Sequence, residues 1–429
     1  MASYTDLKPK GYRPRLVDSL VERNLGDFGA IELRGTRWSG KSWTAMAHAE
    51  SVTQVDVGTG LYADDPDLAL IGAQPHAIDE WQDVPSIWNR VRHSVDDSAN
   101  RPGQFILTGS SSPAGEDGRH SGAGRISRIR MRTMTLAEMG RSSATVSLCK
   151  LFDGEFEPQQ SRLCLEDYAS ILCHGGWPAL VDASDERAQR TVEEYLDLLF
   201  EASMPKLGKD PMLSRRLAVA LARNLGSAAT LKTLAADAAG GESKGPTQET
   251  VASYLSAFEL NYFLDELPGW DAPVKARSRV RTKPKRYLDD PSMAAALLSV
   301  GPSRLLQDGQ LFGMLFEALC VHDLSVYASL LPGAGMRPLR YYADADGLEV
   351  DAIIELRDGR WAAFEVKLGE SRVEQAAKSL SRLKAKVAAN PVARNPKPEF
   401  MAVLVGNGAF ARRRKEDGIY VLPLGTLTA

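Results

Sequence analysis

The sequence has few cysteines, little net charge and no extended apolar run, and each shortage excludes a class of protein. Its four cysteines are scattered along 429 residues without the short spacings of a metal site, as is typical of a reducing compartment. The 55 acidic and 52 basic residues nearly balance, so any nucleic-acid surface must be a local patch. No uncharged apolar run approaches the ~20 residues of a membrane span, and the N-terminal segment lacks the apolar core of a signal peptide. These absences predict a cytoplasmic protein with no membrane partner, and the length predicts two or three domains.

Strand and helix patterns alternate between residues 31 and 132. Such alternation predicts an α/β fold in which helices cover a mostly parallel sheet. The predicted strands are Ile31–Arg34, Ser51–Val57, Gln74–Asp79, Gln104–Thr108 and Ile126–Arg132. Helices are predicted over Lys41–Glu50 and Pro85–Asp97.

The first predicted strand runs directly into GTRWSGKS, which matches the phosphate-binding loop pattern G-x-x-x-x-G-K-[ST] in full. The glycines allow backbone N–H groups to point at phosphate oxygens, and the following helix adds the positive end of its dipole. We expect Lys41 to reach the β and γ phosphates, to face solvent otherwise, and to act in catalysis. We expect Ser42 to ligate Mg²⁺. The residues predicted to bind ATP here are Gly35, Thr36, Arg37, Trp38, Ser39, Gly40, Lys41 and Ser42.

Two acidic residues follow the third predicted strand. Asp79 ends that strand and is predicted to hold Mg²⁺ opposite Ser42, while Glu80 is placed to polarise the attacking water. The fourth predicted strand ends in hydroxyl residues. Either Thr108 or Ser110 is therefore predicted to sense the γ-phosphate.

Phosphoryl transfer also needs a positive charge that stabilises the transferring group. Arg125, which follows the Gly-rich segment 111–124, is the first candidate for this catalytic arginine. Arg92, on the predicted helix Pro85–Asp97, is the second.

Several segments together resemble a known family. They are GTRWSGKS, AIDEWQDVPSIWNRVR, ILTGSS, GRISRIRMRTMTLAEMG, GGWPALV, PKRYLDD, LFEALCV, LEVDAIIE and FEVKLG, in this order. The set resembles the prokaryotic AAA-like predicted ATPases that carry a C-terminal domain of unknown function. The resemblance covers nearly the whole chain and implies an AAA-type core, a winged-helix-like segment and a restriction-endonuclease-like end domain. The loop departs from the usual family pattern at Trp38 and Ser39.

The resulting domain prediction has three parts. Residues 1–145 are predicted to form the P-loop ATPase domain. Residues 146–280 are predicted to form a helical and winged-helix-like region, because two short helices there lead into a strand. Residues 281–429 are predicted to form the nuclease-like α/β domain.

Four residues of the C-terminal part form a pattern of their own. Glu365 and Lys367 lie two apart on one predicted strand and therefore face the same side. Asp351 lies on the neighbouring strand of a hairpin, so Asp351 and Glu365 are predicted to share a Mg²⁺ beside Lys367. Glu317, on the preceding helix, is a candidate fourth member. This is the logic of metal-assisted phosphodiester cleavage. The alternative is a nuclease fold kept as a scaffold.

Six basic residues alternate along the segment before the C-terminal domain. In an extended strand they would share one face, which predicts a stripe that binds DNA or another polyanion. The alternative is an edge strand protected by charge against aggregation. The six are Lys275, Arg277, Arg279, Arg281, Lys283 and Lys285.

Three functions remain open at this stage. The first is an ATP-driven switch that acts on a protein or other partner. The second is a metal-dependent nuclease gated by ATP, which the intact Glu365 and Lys367 favour. The third is a non-catalytic regulator that binds DNA or protein. The near-neutral overall charge favours a protein-facing role.

Overall fold

The computed structural model describes residues 7–111, 122–240, 245–270, 283–391, 393 and 395–429. Its contacts divide the chain into two compact units. The N-terminal unit comprises Met1–Thr133, Trp177–Ala179 and Ala257–Phe263, and the larger unit comprises the rest. The predicted domain boundaries at residues 145 and 280 stay a prediction. The two units are each made of several separate chain segments, so they cannot be compared directly with three consecutive domains.

The N-terminal unit is built on a five-stranded sheet in which every described pair of strands is parallel. Strand β1 lies between β4 and β5, and its residues Ala30, Ile31 and Leu33 are fully buried, as expected for a strand covered on both faces. The strand order is β2-β3-β4-β1-β5. The elements are α1 (Asp18–Asp27), β1 (Ala30–Arg34), α2 (Lys41–Ala47), β2 (Ser51–Gln54), α3 (Thr59–Asp64), β3 (His76–Asp79), α4 (Ser86–Asp97), β4 (Phe105–Gly109) and β5 (Ile126–Arg130).

All five predicted strands of this unit are present, although each differs from its predicted range at one end or both. The third, predicted from Gln74, begins at His76 because Pro75 has no N–H to donate to a neighbouring strand. The turn between β2 and β3 contains α3 and a short 3₁₀ helix at Pro66–Leu70, which the sequence patterns did not predict. An α/β fold with a parallel sheet is therefore confirmed for this unit.

The first half of the larger unit is mainly helical. Helices α7, α9 and α10 begin where the side chains of Ser184, Asp210 and Thr230 accept a backbone N–H of the first turn. Strands β8 and β9 pair antiparallel from Leu264↔Leu288 to Leu267↔Lys285. The elements are β6 (Val146–Ser147), α5 (Leu148–Phe152), β7 (Gln159–Gln160), α6 (Leu165–His174), α7 (Asp185–Leu198), α8 (Met204–Lys206), α9 (Pro211–Arg223), α10 (Leu231–Ala238), α11 (Gln248–Leu260), β8 (Leu264–Leu267) and β9 (Lys285–Leu288).

The second half of the larger unit contains a seven-stranded mixed sheet of order β10-β11-β12-β13-β15-β14-β7. Strands β10, β11 and β12 form an antiparallel meander, and helix α15 then connects β12 to β13, which runs parallel to it. The elements are α12 (Pro291–Leu297), α13 (Pro302–Leu305), α14 (Gly309–Leu330), β10 (Ala334–Ala343), β11 (Glu349–Leu356), β12 (Trp361–Gly369), α15 (Val373–Ala388), β13 (Phe400–Asn407), β14 (Phe410–Arg413), β15 (Tyr420–Pro423) and β16 (Leu427–Thr428).

The sequence predicts no apolar segment long enough to span a membrane, but helix α14 is such a segment by length and composition. It is 22 residues long and its most apolar stretch has a mean hydropathy of 1.4, which is long and apolar enough to cross a membrane by these criteria alone. Of that stretch, 67% is buried inside the protein, which is also the pattern of a core helix. Asp308 caps its first turn by accepting the N–H of Leu311 at 3.0 Å.

Candidate nucleotide-binding site

The phosphate-binding loop joins β1 to α2, the context that its sequence pattern requires. At Gly35 a Cβ atom would lie 1.9 Å from the carbonyl oxygen of Met131, so only glycine fits there. Gly40 has a left-handed backbone with φ 96°, which glycine adopts without strain, and α2 begins at the next residue. The glycines of the motif are therefore explained by the shape of the loop.

Three polar side chains of the loop are buried inside it. The Nζ atom of Lys41 donates to the carbonyl oxygen of Thr36 at 2.7 Å, so the expectation that Lys41 faces solvent is wrong. The hydroxyl of Ser39 is buried and has no hydrogen-bond partner among the described residues. A buried hydroxyl without a partner is costly unless a ligand supplies one, and a phosphate oxygen would be such a partner.

Arg37 and Trp38 lie at the tip of the loop with exposed side chains. Trp38 is 52% exposed and its backbone has φ 69°, the left-handed region that is uncommon for a bulky residue. The predicted ATP-binding role of Arg37 and Trp38 stays a prediction.

Arg15 braces the loop from outside, a contact that the sequence analysis missed. Its Nη1 donates to the carbonyl oxygen of Ser39 at 2.6 Å, and its Nη2 donates to that of Arg132 at 2.9 Å. The guanidinium thus connects the loop to the chain just after β5. Nothing in the local sequence marks this arginine, because both partners are distant in the chain.

Asp79 lies at the carboxyl end of β3, where the side chains of Ser42 and Thr108 both hydrogen-bond to its carboxylate. Burial raises the pKa of Asp79 above its ordinary value, and the two hydroxyl donors and the charge of Lys41 partly oppose that shift. The structure therefore brings Ser42 and Asp79 together, as the predicted Mg²⁺ site requires.

Glu80 is held in an unusual backbone conformation next to Asp79. Its φ of 56° is left-handed, which costs a residue with a Cβ atom about 1–3 kcal/mol. Its N–H donates to the Thr108 hydroxyl at 3.2 Å, and its Oε2 accepts from Ser110 at 2.8 Å and from Gln82. Strained backbone of this kind is concentrated at functional sites. Gln82 was not among the predicted site residues.

The two hydroxyl residues that follow β4 have different positions. Strand β4 lies between β1 and β3, so Thr108 is placed between the phosphate loop and the two acids. Thr108 contacts both Asp79 and Glu80, whereas Ser110 contacts only the Glu80 side chain in the hydrogen bonds of the described residues. Thr108 is therefore the better placed of the two predicted sensors.

The structure contradicts the assignment of Arg125 to the phosphate site of the same chain. Its carbonyl accepts the N–H of Ala30, at the start of β1, while the loop follows the end of that strand. A five-residue strand separates the two ends by roughly 13 Å. The Arg125 side chain instead pairs with Asp96 at 2.7 Å, and Arg92 pairs with the same carboxylate at 3.5 Å. Both candidates are thus engaged near the amino-terminal end of β1, away from the phosphate-binding loop.

In the larger unit, the four C-terminal residues predicted to lie together do so. Lys367 Nζ contacts Glu365 Oε2 at 2.7 Å and Asp351 Oδ2 at 3.6 Å. Burial, with repulsion from Asp351, raises the pKa of Glu365 to about 7 and also raises that of Glu317. Across the described ranges, however, no group of three or more His, Cys, Asp or Glu side chains is arranged to hold a metal ion.

The basic stripe is only partly described. Lys275, Arg277, Arg279 and Arg281 lie outside the described residues. Lys283 is exposed, as a polyanion contact must be. Lys285 is not available for that role, because its side chain is only 5% exposed and pairs with Glu317, Glu349 and Asp351. The alternation therefore predicted the wrong face for Lys285, which belongs to the acidic cluster instead.

Comparison with known proteins gives three family matches and several similar proteins. Residues 27–140 match an AAA domain, residues 165–304 match a domain of unknown function (DUF8612), and residues 312–427 match another (DUF4143). Uncharacterized proteins of Mycobacterium tuberculosis and Mycobacterium bovis are each 27% identical over 361 residues, which is 81% of this chain and 72% of theirs.

Two solved structures are similar at 15% identity. The Walker-type ATPase of Pyrococcus abyssi has a TM-score of 0.44 over 68% of this chain and 99% of its own. AMPPCP-bound DnaA from Aquifex aeolicus has a TM-score of 0.26 over 60% of this chain and 92% of its own.

The AAA match covers the loop, both acids and Thr108, which supports a P-loop AAA-like domain over these residues. The predicted restriction-endonuclease-like core stays a prediction, because the match there is to a domain of unknown function.

Proposed function

We propose that the N-terminal unit binds ATP together with Mg²⁺ and hydrolyses it. The observation that carries this proposal is the connection through Thr108. One hydroxyl on the strand between the two halves of the site holds both the Asp79 carboxylate and the Glu80 backbone. The sequence motifs could be present without this connection. Because Thr108 lies on the strand next to β1, the connection holds both acids beside the phosphate-binding loop.

Each residue of the site has a role that follows from its contacts. The loop N–H groups and Lys41 hold the phosphates, and Lys41 exchanges the Thr36 carbonyl for a phosphate oxygen. Ser42 and Asp79 fit Mg²⁺, because a hydroxyl and a carboxylate in contact offer the oxygen ligands that this ion takes. When bound, Mg²⁺ neutralises charge on the phosphates. Glu80, oriented by Ser110 and Gln82, polarises the attacking water.

ATP turnover and ATP binding, measured separately, test the proposal. Glu80→Gln keeps the shape and removes the charge, so it should bind ATP while turnover falls by about 10²–10⁴-fold, the usual contribution of a positioned base. Lys41→Ala should lose ATP binding itself. Glu22→Gln, an exposed glutamate of α1, is the matched control and should behave as the wild type. Wild-type turnover in Glu80→Gln would contradict the assigned role.

We also propose that the ATP state acts as a switch on a partner. Two domains of unknown function follow the AAA match, which supports a role beyond ATP consumption. The hairpin β8–β9 after α10 and α11 supports a winged-helix-like segment, and the exposed Lys283 is consistent with a polyanion partner. ATP turnover with and without duplex DNA at low salt tests the DNA form of this proposal, and unchanged turnover with no DNA binding favours a protein partner.

A nuclease gated by ATP is the second candidate. It is supported by the meander β10–β11–β12 followed by α15 and the parallel strand β13, an arrangement compatible with the restriction-endonuclease-like core implied by the resemblance. The convergence of Asp351, Glu365 and Lys367 also supports it. Incubating plasmid and single-stranded DNA with Mg²⁺ or Mn²⁺, with and without ATP, tests it.

A further inference from the structure

Lys285 occupies the middle of the acidic cluster in the larger unit. It lies at the start of β9, and its Nζ atom is 2.5 Å from Glu349 Oε1, 3.2 Å from Glu317 Oε1 and 3.8 Å from Asp351 Oδ1. The three carboxylates come from two elements, helix α14 and strand β11. One ammonium group therefore stands at the point where these acids converge.

The oxygen atoms of the cluster have further donors. Glu317 Oε1 accepts from the Tyr287 hydroxyl at 2.7 Å as well as from Lys285. Asp351 Oδ2 accepts the N–H of Val366 at 2.8 Å and faces Lys367 Nζ at 3.6 Å. Asp351 is thus placed between two ammonium groups, one on each carboxylate oxygen. Both oxygen atoms of Asp351 and one oxygen atom of Glu317, which a metal ion could otherwise use, therefore already face donors of the protein itself.

We propose that the ammonium group of Lys285 is the resident cation of this cluster and takes the place of a divalent metal ion. The chain then has a lysine-locked carboxylate site that does not bind Mg²⁺ or Mn²⁺, and the larger unit works as a binding scaffold. A buried lysine is stable here because its desolvation is offset by paired carboxylates. All the residues concerned lie in the larger unit, so the proposal does not depend on ATP hydrolysis.

A divalent ion and Lys285 exclude one another for two reasons. Mg²⁺ requires oxygen ligands at about 2.0–2.1 Å in near-octahedral geometry, whereas the ammonium already lies within hydrogen-bonding distance of two of the carboxylates. The ion would also have to enter beside a fixed positive charge in surroundings where such repulsion is poorly screened. Binding therefore requires that Lys285 leave a buried position and its three acidic partners.

A Mn²⁺ titration of the full chain without nucleotide tests the proposal. The paramagnetic resonance signal of free Mn²⁺ reports how much of the ion is bound. The wild type should show no site that depends on Asp351. Lys285→Met keeps the length of the side chain and removes its charge. It should create one Mn²⁺ site that binds at least about tenfold more tightly than any Mn²⁺ binding of the wild type, because a repulsive charge leaves the cluster. Lys285→Arg, the charge-matched control, should gain nothing.

Two further variants keep the test decisive. Adding Asp351→Asn to Lys285→Met should abolish the new site, which places the gain in this cluster rather than at the phosphate loop. If Lys285→Met unfolds, Lys285→Gln supplies the same loss of charge with a polar group. A wild-type Mn²⁺ site lost in Asp351→Asn would overturn the proposal, as would a folded Lys285→Met with no gain. Wild-type cleavage of plasmid DNA with Mn²⁺ that is lost in Asp351→Ala would overturn it as well.

Discussion

Replacing Thr108 by valine removes one hydroxyl from the point where the two acids of the proposed ATP site meet. Valine has nearly the same shape, and Thr108 is fully buried, so packing is preserved. The change deletes the donor to Asp79 and the acceptor of the Glu80 N–H. Any change in stability or turnover can therefore be attributed to the lost hydrogen bonds rather than to a change in side-chain volume.

The expected cost follows from these two bonds. A hydrogen bond to a charged group contributes about 1.5–3 kcal/mol and a neutral one about 0.5–1.5 kcal/mol. The free energy of unfolding of the N-terminal unit should thus fall by about 2–4 kcal/mol. The pKa of Asp79 should rise further, because the Thr108 bond is the largest of the influences that lower it. Glu80 loses a backbone partner, and a small displacement of a catalytic group can cost about 10²-fold in rate.

Urea denaturation and steady-state ATP turnover measure the two effects. Thr108→Ser is the matched control, since it keeps the hydroxyl and loses only a methyl group, for about 1 kcal/mol. We expect Thr108→Ser to retain most turnover and Thr108→Val to lose 10- to 100-fold, an estimate based on the positional sensitivity of catalysis. A Thr108→Val protein with wild-type turnover and stability would refute the role given to this hydroxyl.

Three further predictions concern charge and backbone shape. Asp79→Asn should raise the melting temperature at pH 8 more than at pH 5, because burial raises the pKa of Asp79 and the stability it contributes is lost as pH rises through that pKa. It should also weaken Mg²⁺-dependent ATP binding. Gly35→Ala should weaken ATP binding because its Cβ meets a carbonyl oxygen at 1.9 Å, while Gly60→Ala, with open space around its Cβ, should not. Glu365→Gln should exceed the wild type in stability by up to about 3 kcal/mol near pH 8 and lose that advantage near pH 4.5, because the pKa of Glu365 is raised from 4.5 to about 7. If the free energy of unfolding of the wild type and of Glu365→Gln depended on pH in the same way, the prediction for Glu365 would be wrong.

The geometry of the proposed ATP site was predictable because it is local. Eight consecutive residues determine the loop, and the carboxyl ends of parallel strands meet at one edge of a sheet, which brings Asp79 and Thr108 to the loop without knowledge of distant contacts. The orientation of Lys41 was not predictable, because its partner is a carbonyl oxygen of the loop rather than a side chain.

Residues whose role depends on distant parts of the chain were assigned less well. The position of Arg125 after a Gly-rich segment favours a role at the phosphates, but the register of β5 against β1 places it at the other end of these strands. Lys285 alternates with other basic residues in sequence, yet it is buried because Glu317 and Asp351 come from elements 32 and more residues away. Alternation indicates which residues share a face and does not indicate what that face contacts.

The Arg15 brace has a consequence for where the ATPase unit begins. The AAA match starts at residue 27, so a shortened protein cut at that point would retain every motif residue. It would also leave the carbonyl oxygens of Ser39 and Arg132 without the guanidinium that joins them. The minimal folding unit of this domain should therefore include the segment that contains Arg15. The limits of sequence similarity and the limits of the folding unit then differ by residues 15–26, which include nearly all of helix α1.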